Sequence, residues 1–339
     1  MSDTNHYAEA GVNIDSGHQA VQLMRDIVRS TYTPQVLSDV GSFGGLYSLS
    51  SIRTMTDPVL VASTDGVGTK TKVAARLNRW HTIGTDLVNH CVNDILVQGA
   101  QPLFFLDYVA SDQLNPHQIA DVVSGMVTAC RANGCALLGG ETAEMPGVYM
   151  PGEIDIVGTI VGIVDRSQII DGSRIQVGDA ILGLPSSGLH TNGYSLARKV
   201  LDDLDWEAPS EHLGTTIGDA LLAVHNGYYH AVGLLHDAGV DIRGLAHITG
   251  GGIPDNLPRI LREGTAAHID TGTWISPPIF KLIQDKGDIP TEEMYRVFNM
   301  GLGMLIVIPE KHVSLAQSTL SDAWHVGMIS VGDRQVEIR

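Results

Sequence analysis

Cysteine is scarce: Cys91, Cys130 and Cys135 are the only three. Their number is odd and their spacing fits neither a zinc-binding C-x-x-C pair nor a disulfide framework, so they read as buried thiols. Basic residues are few as well. Lys and Arg total 21 against 38 Asp and Glu, a formal net charge of −17, and that excess repels nucleic acid and anionic membrane surfaces at long range. No apolar run reaches the roughly 18 residues of a membrane span; the longest candidates, such as residues 95–106, are broken by Gly and Pro. The opening MSDTNHYAEAG has neither the basic start nor the apolar stretch of an export signal, so a cytoplasmic location is expected. Fixed-period repeats and low-complexity stretches are also missing, which excludes a solenoid and argues against a long flexible linker.

Hydrophobic residues, in contrast, make up 43% of the chain and charged ones 17%, enough apolar surface to offset the entropy of ordering and exclude disorder. At 339 residues the chain exceeds the ~250 at which a single core stops growing, so two domains are expected. Glycine is in excess, 38 residues, and it clusters at 41–45, at Gly66 and Gly68, at Gly139 and Gly140, at 250–252, and at Gly301 and Gly303. Most clusters adjoin apolar runs, which marks special turns beside strands.

Residues 59–62, 103–106, 135–138 and 154–164 read as strands, and 83–97 as a helix. In that helix Leu87, Cys91 and Ile95 recur on one face, leaving Asp86, His90 and Asp94 stacked on another. Residues 121–132 read as a second helix, with Asp121 in its first turn. After a polar stretch at 165–178, a strand signal at 180–184 opens a second alternation, with helices over 194–204 and 217–238 and a strand over 303–308. The fold class is therefore mixed α/β, in two domains, 1–170 and 171–339.

Four segments carry chemistry. Ser63-Thr-Asp-Gly-Val-Gly-Thr-Lys70 places an acid and a lysine around two glycines after a strand; the turn suits phosphate oxygens, Lys70 as a point charge, and Asp65 as a Mg²⁺ ligand. It is neither a P-loop nor a G-x-G-x-x-G fingerprint. Gly139-Gly-Glu141-Thr-Ala-Glu144 sets carboxylates after another strand, and Asp65, Asp94 and Glu141 together suit hard Mg²⁺. Ser186-Ser187-Gly-Leu-His190-Thr-Asn192 packs hydroxyls, an imidazole and an amide ahead of a helix, where an anion is favoured. His247-Ile-Thr-Gly250-Gly251-Gly252 leaves N–H groups unshielded for a second phosphate. No G-x-S-x-G elbow or H-E-x-x-H motif occurs, and His225, His230 and His236 read as ordinary core or surface histidines.

Taken together, these segments resemble the phosphoribosylformylglycinamidine cyclo-ligase (aminoimidazole ribonucleotide synthetase) family. The matching stretches also include Ala10-Gly-Val-Asn-Ile-Asp15, Asn93-Asp-Ile-Leu-Val-Gln-Gly-Ala, and Phe298-Asn-Met-Gly-Leu-Gly303, in family order over nearly the full chain. The resemblance implies two α/β domains and a homodimer whose N-terminal strands form a barrel-like interface. It implies an ATP-dependent ring closure in purine synthesis: ATP phosphorylates the formyl oxygen of formylglycinamidine ribonucleotide, the amidine nitrogen attacks the activated carbon, and phosphate leaves. By the same resemblance, Asp65, Asp94 and Glu141 are Mg²⁺ ligands. Thr64, Gly66, Gly68, Thr69 and Lys70 lie at the nucleotide phosphates, Gly250, Gly251 and Gly252 at a phosphate, and Ser187, His190, Asn192 and His247 at the substrate. Lys70, His190 and Asn192 take the catalytic roles, His190 in proton transfer. The chain departs from the family pattern at Gly41-Ser42-Phe43-Gly44, where Gly-Gly-Phe-Gly is usual, and at His190-Thr191-Asn192-Gly193, where His-Ser-Asn-Gly is usual and Thr191 keeps the hydroxyl. A kinase or synthetase of the same superfamily, and a nucleotide-binding module without catalysis, are the competing readings.

Overall fold

Contacts divide the chain into two units, one of residues up to 95 with 101–166, the other of 96–100 with 167–339. A computed structural model describes residues 14–339, so the 10–15 motif begins outside the described residues.

The first unit contains α1 (Ile14–Arg29), β1 (Pro58–Gly66), α2 (Lys70–Leu77), α3 (His81–Leu96), β2 (Gln101–Ser111), α4 (Pro116–Ala132), β3 (Ala136–Glu144) and β4 (Ile154–Asp165). The sheet order is β1-β4-β2-β3, with β4 antiparallel to β1 and β2, and β3 parallel to β2. Burial alternates along β4: residues 154, 156, 158 and 160 are buried and the residues between them are not. One face is therefore packed and the other open. α3 lies on the packed face, where Cys91 Sγ approaches the Gly158 carbonyl at 3.6 Å. α4 crosses α3 at two glycines; a Cβ on Gly84 would stand 1.8 Å from the Val122 carbonyl oxygen, and one on Gly125 1.9 Å from that of His81. The open face carries Leu60, Ala62 and Thr64 of β1, and Leu60 is 62% exposed.

Two boundaries differ from the sequence reading. α4 starts at Pro116 because Asn115, not Asp121, sets its N-terminus: the Asn115 side chain accepts the N–H groups of His117 and Gln118 at 3.1 and 3.3 Å, and proline suits the first helical position. β1 runs past its apolar stretch through Asp65, since the β4 backbone continues to pair with it, Asp65 opposite Gly158.

The second unit contains β5 (Ala180–Pro185), α5 (Tyr194–Leu201), β6 (Pro209–Ser210), β7 (Thr215–Thr216), α6 (Ile217–Leu221), α7 (Tyr229–Asp237), β8 (Gly244–His247), α8 (Gly252–Asn256), β9 (Thr265–Ile269), α9 (Pro278–Gly287), α10 (Thr291–Val297), β10 (Leu302–Ile308), α11 (Val313–Thr319), β11 (Trp324–Val331) and β12 (Val336–Ile338). Its main sheet has the order β12-β9-β11-β5-β10-β8. Leu182, Leu184, Met304 and Ile306 pack with Val232 and Leu235 on one side, while Ile181, Leu305 and Val307 pack with Ile253 and Leu257 on the other. Both faces are covered, which is why β5 and β10 read as unbroken apolar runs. The single helix expected over 217–238 is instead α6 and α7. The chain between them turns inward, Asn226 Nδ2 and Tyr228 Oη donating to the Pro185 carbonyl at 3.0 and 2.8 Å.

Candidate functional site

Each unit gathers one group of polar side chains. In the first, His90 and Asp94 lie one turn apart on α3 and share a face, directed at Asp65 on the packed side of β1. His90 Nε2 is 2.8 Å from Asp65 Oδ2 and 3.7 Å from Asp94 Oδ2, and Ser63 Oγ donates to Asp94 Oδ2 at 3.2 Å. One ligand atom from each of the three comes within 4.8 Å of the others. Burial opposes an imidazolium at His90, yet the hydrogen bond to Asp65 and the charges of Asp94, Asp65 and Asp86 prevail and raise its pKa. The spot thus favours positive charge. Two convergent carboxylates fit Mg²⁺, which takes one or two of them along with substrate phosphates.

Glu141 does not join this group. By strand register it falls on the row of Tyr108, Val157 and Gly66, whereas Asp65 falls on the row of Gly158, Asp107 and Gly140. An offset of one residue turns a side chain to the opposite face. Thr64 likewise points to the open face, its hydroxyl 2.8 Å from that of Thr159. His90, in contrast, was visible only as a neighbour of Asp94 in the helical spacing. Asp107 shares the Asp65 row; burial pushes its carboxyl up to about 7.

Lys70 opens α2 with its side chain wholly buried, Nζ lying 2.7 Å from Asp86 Oδ2, which is wholly buried too. Burial lowers the Lys70 pKa, and the charge and hydrogen bond of Asp86 oppose that shift. The ammonium therefore faces α3 inside the unit, whereas the sequence reading set it at the nucleotide phosphates. The turn itself places Gly68 at φ 53° and lets the Gly66 N–H donate to Asp65 Oδ1 at 2.7 Å; Thr69 leads into α2. Ser42, for its part, is not among the residues at positive φ; Gly41 is, at 89°.

The second group surrounds the turn after β5. Asn299 Oδ1 accepts from the Ser186 hydroxyl and the Gly301 N–H, both at 2.9 Å, and its Nδ2 donates to the Gly188 carbonyl at 2.9 Å. That three-way tie fixes the turn against the start of β10. His190 sits in it at φ 59°, fully buried, and a Cβ on Gly303 would come within 2.6 Å of its Cε1. Ser187 commits its hydroxyl to the Val224 carbonyl. Asn192 borders the glycine loop, its Oδ1 being 3.3 Å from where a Gly250 Cβ would stand. Inside that loop Asn256 Nδ2 donates to the carbonyls of Thr249, Gly250 and Gly252 at 3.3, 3.2 and 2.8 Å. Gly251 and Gly252 have φ of 92° and 60°, a conformation open to glycine. His247 ends β8 beside the loop, with Nε2 3.0 Å from His225 Nε2. Sequence reasoning missed His225, whose only signal was an isolated histidine inside an expected helix.

Comparison with known proteins adds to this geometry. Residues 48–164 match the family model for the AIR synthase related protein N-terminal domain, and residues 176–338 the corresponding C-terminal domain. A phosphoribosylformylglycinamidine cyclo-ligase of Syntrophotalea carbinolica is 50% identical over 340 residues, covering 97% of this chain and 96% of its own. One from Picosynechococcus sp. is 46% identical over 337 residues, covering 97% and 98%. Among solved structures, the thiamine-monophosphate kinase of Stenotrophomonas maltophilia superposes with a TM-score of 0.69 at 17% identity, covering 93% of this chain and 95% of that one. The hydrogenase maturation protein HypE in complex with ATP gives 0.68 at 19% identity, covering 97% and 93%. Those two likenesses are of fold.

Proposed function

The chain belongs to the AIR synthase family, and on that premise we propose that it converts formylglycinamidine ribonucleotide to 5-aminoimidazole ribonucleotide in purine synthesis, consuming ATP. The formyl oxygen attacks the γ-phosphorus of ATP and ADP leaves. The amidine nitrogen then adds to the activated carbon, and phosphate departs carrying the former formyl oxygen. Such a reaction asks the protein chiefly to position its reactants and stabilise charge on the phosphoryl group.

The observation that carries this reading is the convergence of Asp65 and Asp94 around a spot where His90 is already biased toward its cation. Asp65 and Asp94 would hold Mg²⁺, which when bound neutralises charge on the triphosphate. Glu141, on the other face of the sheet, is not assigned to that pair. Gly66 and Gly68 give the turn its shape, and Lys70 holds it to α3 through Asp86. In the second unit, Asn192, His247 and the loop at Gly250, Gly251 and Gly252 receive the ribonucleotide, while Ser187 and His190 shape the turn that presents Asn192. The open face of the first sheet, with Leu60 and Ala62, serves a homodimer. No described helix is long and apolar enough to cross a membrane, in keeping with a cytoplasmic enzyme.

Incubation with Mg²⁺-ATP, with and without the ribonucleotide, tests the reading. Substrate-dependent ADP matched by imidazole product supports it; ADP without imidazole favours a phosphotransferase of the same fold, and a folded protein that binds ATP without turnover favours a binding module.

A further inference from the structure

The segment Phe298-Asn-Met-Gly301 joins the end of α10 to β10, and it touches both loops assigned to the ribonucleotide. Asn299 reaches the turn after β5 through Ser186 and Gly188. The Phe298 ring lies against Gly193, where a Cβ would come within 2.2 Å of its Cε1. The backbone of the same segment lies against the glycine loop: a Cβ on Gly252 would stand 1.9 Å from the Tyr295 carbonyl oxygen and 3.0 Å from that of Phe298. Only residues without a side chain at 193 and 252 let one segment back both loops this closely.

Both sides of the Asn299 tie are strained. Met300 has φ 50° and, in the turn after β5, His190 has φ 59°, a left-handed conformation that is costly for any residue with a Cβ. Such backbone persists where its surroundings over-determine it, and it gathers at ligand clamps. Here the surroundings are explicit. The Ser186 N–H donates to the Gly301 carbonyl at 2.8 Å, and the Trp274 indole N–H donates to the Met300 carbonyl at 2.9 Å. Asn299, only 3% exposed, adds its three bonds, and its partners fix which way the amide points. The Gly301 N–H can only donate, so it faces Oδ1, and the Gly188 carbonyl can only accept, so it faces Nδ2. A carboxylate of the same shape would keep the first bond and set two acceptors against each other at the second.

We propose that Asn299 is a positioning residue for the substrate: it holds the turn that carries His190 and Asn192 against the same segment that backs the glycine loop at 250–252, so that both loops stand preorganised for one ligand. On the ring-closing reading that ligand is the ribonucleotide; the ties themselves stand without it. Preorganisation of this kind raises affinity by sparing the ligand the cost of ordering its own site.

Asn299→Asp in the full protein tests this, read in two ways. Hydrogen exchange without ligand should speed up in peptides covering residues 186–193. In the cyclisation assay KM for the ribonucleotide should rise by about tenfold, the effect of a competent conformer reduced to about a tenth, with kcat little changed and KM for ATP unchanged. A residue that only supports the fold would instead lower the urea midpoint and weaken both substrates alike. Unchanged exchange over 186–193, or equal rises in the two KM values, overturns the proposal. Should Asn299→Asp fail to fold, Ser186→Ala cuts one of the three bonds without adding charge, and the same pattern is expected of it at smaller amplitude; wild-type exchange and KM values in Ser186→Ala then overturn the proposal. Faster exchange over 186–193, together with weaker ribonucleotide binding by calorimetry in a protein that makes no imidazole, would overturn the ring-closing reading and leave the positioning role standing.

Discussion

In the proposed function Asp65 and Asp94 are the carboxylates that would hold Mg²⁺ against a triphosphate, and neither sits in the hydrophobic core: the Asp65 side chain is 48% exposed and that of Asp94 26%. Asp65→Asn keeps the shape and removes one ligand charge. It should leave thermal unfolding nearly unchanged and raise the Mg²⁺ concentration needed for half-maximal turnover by at least about tenfold, since even outer-shell partners of a metal cost that much. A Mg²⁺ titration of ADP release measures it; the same half-saturation as wild type would remove Asp65 from the metal. At this scale the sequence was partly legible. Asp65 and Asp94 could be chosen because glycines and a helical face frame them, whereas Glu141 looked equivalent until strand register turned it away. Lys70 looked like a phosphate contact because spacing along the chain says nothing about which way a side chain turns. His225 carried no motif at all; it reaches His247 from a break between two helices that no local pattern announces.

Elements hold these residues through a few ties that are costly to cut. α2 and α3 are joined by Lys70 and Asp86, both wholly buried. Removing one partner strands a buried charge, so Lys70→Met should destabilise the protein by about 3–5 kcal/mol. The double substitution Lys70→Met with Asp86→Leu should recover most of that loss, because two apolar groups need no partner. Urea unfolding of the four members of the cycle measures the coupling; additive losses would show that the pair does not act as a unit. In the second unit, Asp241 binds Arg243 Nε at 3.0 Å and also pairs with Arg174, and its backbone N–H donates to His312 Nδ1 at 2.9 Å. Burial raises the Asp241 pKa, but the hydrogen bonds and charges of the two arginines outweigh it and hold the carboxyl below 3.8. A depressed folded-state value means that this stabilisation is complete above the unfolded pKa and is lost as pH falls from there through the folded one. Asp241→Asn should therefore lose stability at pH 7 and show a shallower decline below pH 4 in urea midpoints; a slope equal to wild type would contradict the assignment. The longest elements were legible because their periodicity is strong: α3 and β4 stand within two residues of where apolar spacing puts them. Strands β8, β9 and β12 were not, being only four, five and three residues long, nor was β11; all four depend on neighbours distant in sequence for their pairing.

Across the whole molecule, a sheet with one open face exposes Leu60 in a row with Ala62 and Thr64, and a second copy of the chain is the proposed cover. Leu60→Lys should shift the protein from dimer to monomer in sedimentation while leaving the folded sheet intact, because a charge on an apolar interface is costly and one on an exposed strand is not. A wild-type monomer would contradict the dimer. The α/β class was readable from the alternation of strand and helix patterns along the chain. The ring-closing chemistry is tested most directly by following an oxygen atom. With ¹⁸O in the formyl group of the ribonucleotide and unlabelled ATP in ordinary water, a single turnover by the wild-type protein should deliver the label to inorganic phosphate, one ¹⁸O for each imidazole formed. Unlabelled phosphate alongside imidazole would show that the formyl oxygen is never phosphorylated, and would contradict the proposed reaction at its first step.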